Sequence, residues 1–188
     1  MVSPVQLRAA EPGDAAGIAA IYAPYVLTGT VSFEFDPPDA RAMRGRMEAS
    51  DGLYPWIVAT NSEGRGVLGY AYATKFRERA AYRYVVETSV YVAGAVQGQG
   101  VGRLLYDALL RTLRAQGFTQ AIGVISLPND HSVRAHEQVG FRRAGQLREI
   151  GFKEGRWIDI GIWQCVLNDS AIPPVEPKPF GEVGVVRA

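Results

Sequence analysis

The chain has 188 residues, 47% of them hydrophobic, enough for one domain with its own core and incompatible with a disordered chain. Its 20 basic and 19 acidic residues nearly cancel, leaving a formal charge of +1, so the balance carries no electrostatic footprint for nucleic acid or an anionic membrane surface. A single cysteine, Cys165, excludes an intrachain disulfide framework and a multi-cysteine metal site, and His131 with His136 is too little for a zinc centre.

The N-terminal stretch MVSPVQLRAAEPGD lacks a secretory pattern, and no apolar run reaches membrane-spanning length. A soluble, cytoplasmic protein with no metal is the expectation. Residues 5–9 read as a first strand. Asp14 is placed to cap a helix whose Ile18, Ile21, Tyr22 and Tyr25 fall on one face. The segment TGTVSFEFDPPDA reads as a loop or short strand, after which Asp39 caps a short helix carrying Met43 and Met47. Residues 54–60 and 67–74 form a hairpin around Asn61-Ser62-Glu63-Gly64, and residues 84–92 form a long β-branched strand.

A glycine stretch, VQGQGVG, follows, and then a helix to about Gln116. Its Val101, Leu104, Leu105, Ala108, Leu109, Thr112 and Leu113 keep the 3.6-residue period, with Gly117 just past its end. Residues 121–126 make a short buried strand. Asn129 or Asp130 starts a further helix that Gly140 closes, and two strands around Glu154-Gly155 complete the pattern. Residues 1–167 are read as one domain. Residues 168–188, AIPPVEPKPFGEVGVVRA in large part, are Pro-rich and aperiodic and read as a peripheral or flexible tail. This mixed order favours an α+β sheet with some parallel pairing over a doubly wound fold.

Gly98, Gly100 and Gly102 lie where a strand gives way to a helix. Backbone N–H groups at such a junction suit a phosphate, since glycine removes obstruction and the helix start supplies unpaired donors; Arg103 adds a charge. From spacing alone, a plain strand–helix turn fits as well. A P-loop is a poor match because Gly102 is followed by Arg103-Leu104, and the alternate glycines do not make a dinucleotide fingerprint.

The run QGQGVG resembles the Q/R-x-x-G-x-G/A signature of the GCN5-related N-acetyltransferase superfamily. The segments YRYVVETSVYV, GRLLYDALLRTLRAQGF, VISLPNDHSVRAHEQVGF and GFKEGRWIDIGIWQ, with RAAEPGDAAGIAAIYAPYV, resemble its phosphinothricin and methionine sulfoximine acetyltransferase branch over about residues 5–167. The resemblance implies a twisted, mixed and mostly antiparallel sheet with helices on both faces, splaying open near Val92. It implies acetyl-CoA as co-substrate. Its pantetheine arm would pair with the backbone of Val90, Tyr91 and Val92, and its pyrophosphate would lie on Gln97, Gly98, Gln99, Gly100, Val101, Gly102 and Arg103. Asn129, otherwise a helix cap, would touch the cofactor. A homodimer follows from the same resemblance, with the C-terminal hairpin as a contact.

Acetyl transfer to an amine needs a base, because an ammonium has no lone pair. Glu87, a carboxylate within a buried-looking strand, is the candidate, sharing a face with Ser89 and Tyr91. The related branch has a glutamate there and often His or Ser next, where this chain has Thr88. His136 stands where the wider superfamily often has tyrosine, and reads either as a general acid or base or as a packed helix residue. Substrate choice falls on KFRERAAYRY. By itself such a basic cluster reads as solvated surface; the resemblance implies that Lys75, Arg77, Glu78, Arg79 and Tyr82, with Phe33 as an apolar wall and Thr88 and Ser89 next in the chain to Glu87, hold a small anionic α-amino acid through guanidinium forks. An acetyltransferase for protein N-termini or lysines, and a non-catalytic acetyl-CoA sensor, are the competing readings.

Overall fold

The computed structural model describes residues 5–187. Seven strands form one sheet: β1 (Gln6–Ala9), β2 (Trp56–Thr60), β3 (Val67–Lys75), β4 (Val85–Val92), β5 (Gln120–Leu127), β6 (Arg142–Lys153) and β7 (Arg156–Val166). Their order is β1-β2-β3-β4-β5-β7-β6. Every neighbouring pair is antiparallel except β4 and β5, which run parallel. This is the mixed, mostly antiparallel sheet expected.

Helices α1 (Ala15–Leu27) and α2 (Ala40–Glu48) cover one face, and α3 (Val101–Gln116) covers the other. Strand alternation explains the two cores. Trp56 and Val58 of β2 pack with Ile18, Tyr22 and Met43, whereas Ile57 and Ala59 pack with Leu105, Leu109 and Leu113 of α3. Hence β2 is buried along its whole length, and its sequence WIVAT reads as a continuous apolar run. Helix α4 (Asp130–Gln138) follows β5, and α3 ends at Gly117, whose φ of 96° only glycine adopts readily.

Two expectations change. Asp14 does not cap α1 through its side chain. Its carboxylate is held by the Arg8 guanidinium at 2.6 and 2.8 Å and by the Glu11 N–H at 2.8 Å, which pull its pKa down against the opposing effect of burial. The tail, in turn, is tethered rather than loose. Lys178 N–H donates to Gln116 O, Phe180 N–H to Gly52 O, and Val186 N–H to the Thr112 hydroxyl, while Phe180 and Val185 pack against the core. Phe180–Val183 forms one final turn, α5.

Gln116 is the hinge pin of this strap: it is 1% exposed, and its amide donates to Leu53 O at 2.7 Å and Lys178 O at 2.8 Å. Gln116→Leu strands two carbonyls and is expected to cost about 1–3 kcal/mol in urea denaturation; an unchanged midpoint would show that the strap contributes nothing.

Candidate active site

The site begins where β4 and β5 part. Their pairing runs only from Val85 opposite Gln120 to Glu87 opposite Ile122, yet β4 continues to Val92. Beyond the fork β5 pairs with β7 alone, as far as Leu127 opposite Asp159. The result is a cleft lined by Val31, Thr88, Ser89, Val90, Tyr91, Val124, Ile125, Ser126, Asn129, Ser132 and His136. Residues far apart in the chain and proposed separately from sequence thus share one opening. Val31, Val124, Ile125, Ser126 and Ser132 are lining residues that sequence reasoning missed, because apolar loop and strand residues and two serines carry no distinguishing pattern.

Backbone direction follows from register. Ala93 N–H donates to Leu68 O at 2.9 Å, continuing the register that sets Tyr91 opposite Tyr70. Alternation then turns the N–H and C=O of Tyr91 toward β3, and those of Val90 and Val92 toward the opening. Tyr91 therefore contributes no free backbone group to the cleft, contrary to expectation. Its ring packs edge-on against Tyr22 and Tyr25, with centroids 4.9 and 5.1 Å away.

Thr88 reaches the cleft from the other face of β4. The side chain is buried on the α3 side, where its hydroxyl donates to Ile122 O at 3.2 Å and lies 3.0 Å from the Tyr106 hydroxyl. It bridges the strands at the fork, on the face away from Glu87 that alternation gives it. Tyr106 is wholly enclosed, and burial forces its phenol pKa above the ordinary range.

Glu87 lies on the opposite face, half-buried and opposite Thr74. Burial raises its pKa; Arg77 partly opposes the shift. A carboxylate so placed is a better proton acceptor than one in water, because burial disfavours its charged form.

The basic segment after β3 is less uniform than its sequence. Lys75 pairs with Glu78 at 3.1 Å, and the Arg77 guanidinium lies 5.1 Å from the Phe76 ring centroid. Arg79 is exposed at the start of a short turn that carries Tyr82. Arg83 is occupied by Glu176 of the tail at 2.6 Å. Arg77 is thus the cation of this segment that acts on Glu87. Phe33 lies over Gly151 of β6, where any Cβ would collide with its ring; it therefore caps the hairpin instead of forming a free wall.

His136 is half-buried, with its ring centroid 5.1 Å from Tyr106 and 5.2 Å from Phe141, above Gly123, where a Cβ would lie 2.6 Å from the imidazole. Burial lowers its pKa against the opposing effect of the Ser132 carbonyl. Nδ1 is 2.8 Å from that carbonyl, so the neutral ring donates from Nδ1 and leaves Nε2 without a proton. In that state His136 can accept a proton but cannot donate one from Nε2. Asn129 caps α4, its Oδ1 accepting from Ser132 N–H at 3.1 Å, and it faces the cleft as well.

The glycine loop has the geometry of an anion cradle. Gly98 and Gly100 hold φ of 74° and 85°, which strain any residue with a Cβ. Leu104 N–H reaches back to Gly100 O at 3.1 Å, starting α3 and leaving the N–H groups of Val101, Gly102 and Arg103 without helix partners. A Cβ on Gly102 would lie 3.3 Å from Val92 Cγ2, so glycine lets the helix start approach β4. Gln97 and Gln99 differ from the expectation of direct contact. Their amides bond Tyr25 and Ala95, and their backbone N–H groups close local turns on Gly94 and Val96.

The chain is similar to known acetyltransferases. Residues 7–162 match the family model described as Acetyltransferase (GNAT) domain. The chain is 42% identical over 176 residues to a phosphinothricin N-acetyltransferase of Streptomyces viridochromogenes, covering 93% of this chain and 94% of that protein. It is 35% identical to an L-methionine sulfoximine/L-methionine sulfone acetyltransferase of Pseudomonas aeruginosa, covering 89% and 98%. Among solved structures, a phosphinothricin acetyltransferase from Sinorhizobium meliloti in complex with acetyl-CoA superposes with a TM-score of 0.85 at 36% identity, covering 93% of each chain.

Proposed function

The chain belongs to the GNAT acetyltransferase family, and on that basis we propose that it moves the acetyl group of acetyl-CoA to the α-amine of a small amino-acid-like acceptor such as phosphinothricin, methionine sulfoximine or methionine sulfone. The observation that carries the reading is the forked sheet, with an open backbone pair at Val90, glycine-shaped donors at the start of α3, and Glu87 half-buried at the fork.

The residues fit acetyl-CoA. The donors at Val101, Gly102 and Arg103 suit a pyrophosphate, and β4, whose Val92 packs against Gly102, links them in the chain to the cleft at the fork. The cofactor supplies a thioester carbonyl with a thiolate leaving group. Glu87 takes the ammonium proton, directly or through water, and exposes the amine lone pair. The Val90 N–H, turned into the opening, stabilises negative charge developing on the carbonyl oxygen. Arg77 supplies a guanidinium for an acceptor carboxylate or phosphinate. His136 lines the cleft wall, where its Nε2, unprotonated in the neutral ring, is free to take a proton.

The test is a thiol-release assay with acetyl-CoA across phosphinothricin, methionine sulfoximine, methionine sulfone, common amino acids and a peptide. Acetylation of a peptide alone would sink the acceptor assignment. Detoxification of glutamine-analogue inhibitors is the role this acceptor class supports, in the cytoplasm, where acetyl-CoA is at hand. No helix of the described residues is long and apolar enough to cross a membrane.

A homodimer belongs to the same proposal. Leu147, Ile150, Phe152 and Trp157 on the β6–β7 hairpin and Leu27 and Phe35 nearby in the chain around Phe33 are all exposed, Trp157 by 60%. Apolar side chains left out on one hairpin suit a self-complementary interface. Trp157→Glu is expected to convert a dimer into a monomer in light scattering, and a parent protein that is already monomeric would overturn the proposal.

A further inference from the structure

We propose that Tyr25, on α1, is a positioning residue for the acetyl-CoA seat: its hydroxyl serves as surrogate strand partner for Val92 and holds Gln97 at the head of the glycine loop. The proposal rests on the acetyl-CoA reading above.

Beyond the fork β4 has lost β5, so the backbone groups of its residues on that side need other partners. Val92 is the last of them. Its carbonyl accepts from the Tyr25 hydroxyl at 2.7 Å, and its N–H lies 3.4 Å from the same oxygen. The hydroxyl also accepts from Gln97 Nε2 at 2.9 Å. One oxygen thus joins the end of β4 to the first residue of the loop whose following N–H groups form the anion cradle. The ring behind it is fixed against Tyr91, 5.1 Å between centroids.

The C-terminal end of α1, which carries Tyr25, is anchored too. Buried Lys153, at the hairpin turn, donates to Val26 O at 2.6 Å and Ser32 O at 2.8 Å, a cation on the carbonyl end of the helix. Tyr25 is therefore presented from a fixed support. A consequence is that Val92 already has a partner, which leaves Val90 as the backbone pair open to the pantetheine arm.

Tyr25→Phe keeps the ring and removes the hydroxyl. Losing a shared hydrogen bond of this kind is expected to raise the acetyl-CoA KM and the CoA dissociation constant about tenfold, with kcat and the KM for the amine unchanged. Gln97→Leu, on the exposed arm of the same contact, should move the same two constants in the same direction, and the double variant should be no worse than Tyr25→Phe alone. A general loss of folding would not separate the two KM values, and Gln97→Leu reads the contact even if Tyr25→Phe folds poorly. Unchanged CoA binding in both variants, or equal shifts in both KM values, overturns the role of Tyr25. Failure of the parent protein to bind CoA overturns the cofactor reading itself.

Discussion

Glu87→Gln is expected to lower kcat/KM by about 10²–10⁴-fold, the range that a positioned general base contributes. Glutamine keeps the shape and the hydrogen-bonding oxygen but has no useful basicity. The pH profile separates loss of a base from a disturbed site. Burial sets the Glu87 pKa above the ordinary carboxylate range, so parent kcat/KM should fall as pH drops through that raised value, and this acidic limb should vanish in the variant. Stability should move the other way. A carboxyl whose folded pKa lies above its unfolded value favours folding below the unfolded pKa, and that contribution disappears as pH rises through the folded pKa. At neutral pH the parent therefore carries a penalty which Glu87→Gln relieves. Thermal melts at neutral pH should show the variant at least as stable as the parent. A variant of normal rate, or one clearly destabilised at neutral pH, would remove Glu87 from the role of base.

Gly100→Val is expected to raise the acetyl-CoA KM about 10- to 100-fold, the loss of one or two hydrogen bonds to a charged group. Gly100 holds φ of 85° at the N-terminal boundary of α3, a region closed to β-branched residues without strain. Relief of that strain requires the loop to turn, and turning it scatters the N–H groups of Val101, Gly102 and Arg103. The effect should concentrate in acetyl-CoA binding, measured by steady-state kinetics and by calorimetry with CoA, while the amine KM stays near its parent value. An unchanged acetyl-CoA KM would mean that the pyrophosphate lies elsewhere. The two variants thus probe opposite ends of β4: the proton acceptor at the fork and the anion donors beyond its last residue.

The elements of the fold were legible because their signals are local. The α3 periodicity and its closing Gly117, the β-branched strand before the glycines, and the hairpin at Glu154-Gly155 all appear where expected. Asp14 was misread because a capping residue type says nothing of an arginine arriving from β1. The tail's anchors, Gln116, Gly52 and Thr112, were not legible because they are far from it in the chain.

Within the site, Glu87 and the glycines were legible from residue type and place: a carboxylate amid apolar strand residues, and glycines at a strand–helix junction. What the sequence by itself determined is the chemistry on offer and the order of elements, since both depend on side-chain type and short-range period. Only the tertiary structure decided which groups meet. Tyr106 of α3 took the Thr88 hydroxyl, and β3 took the backbone of Tyr91. Arg83 went to the tail, and a helix tyrosine took the place of the missing strand at Val92. Partners of this kind are set by register, packing and long-range closure, which no local pattern encodes.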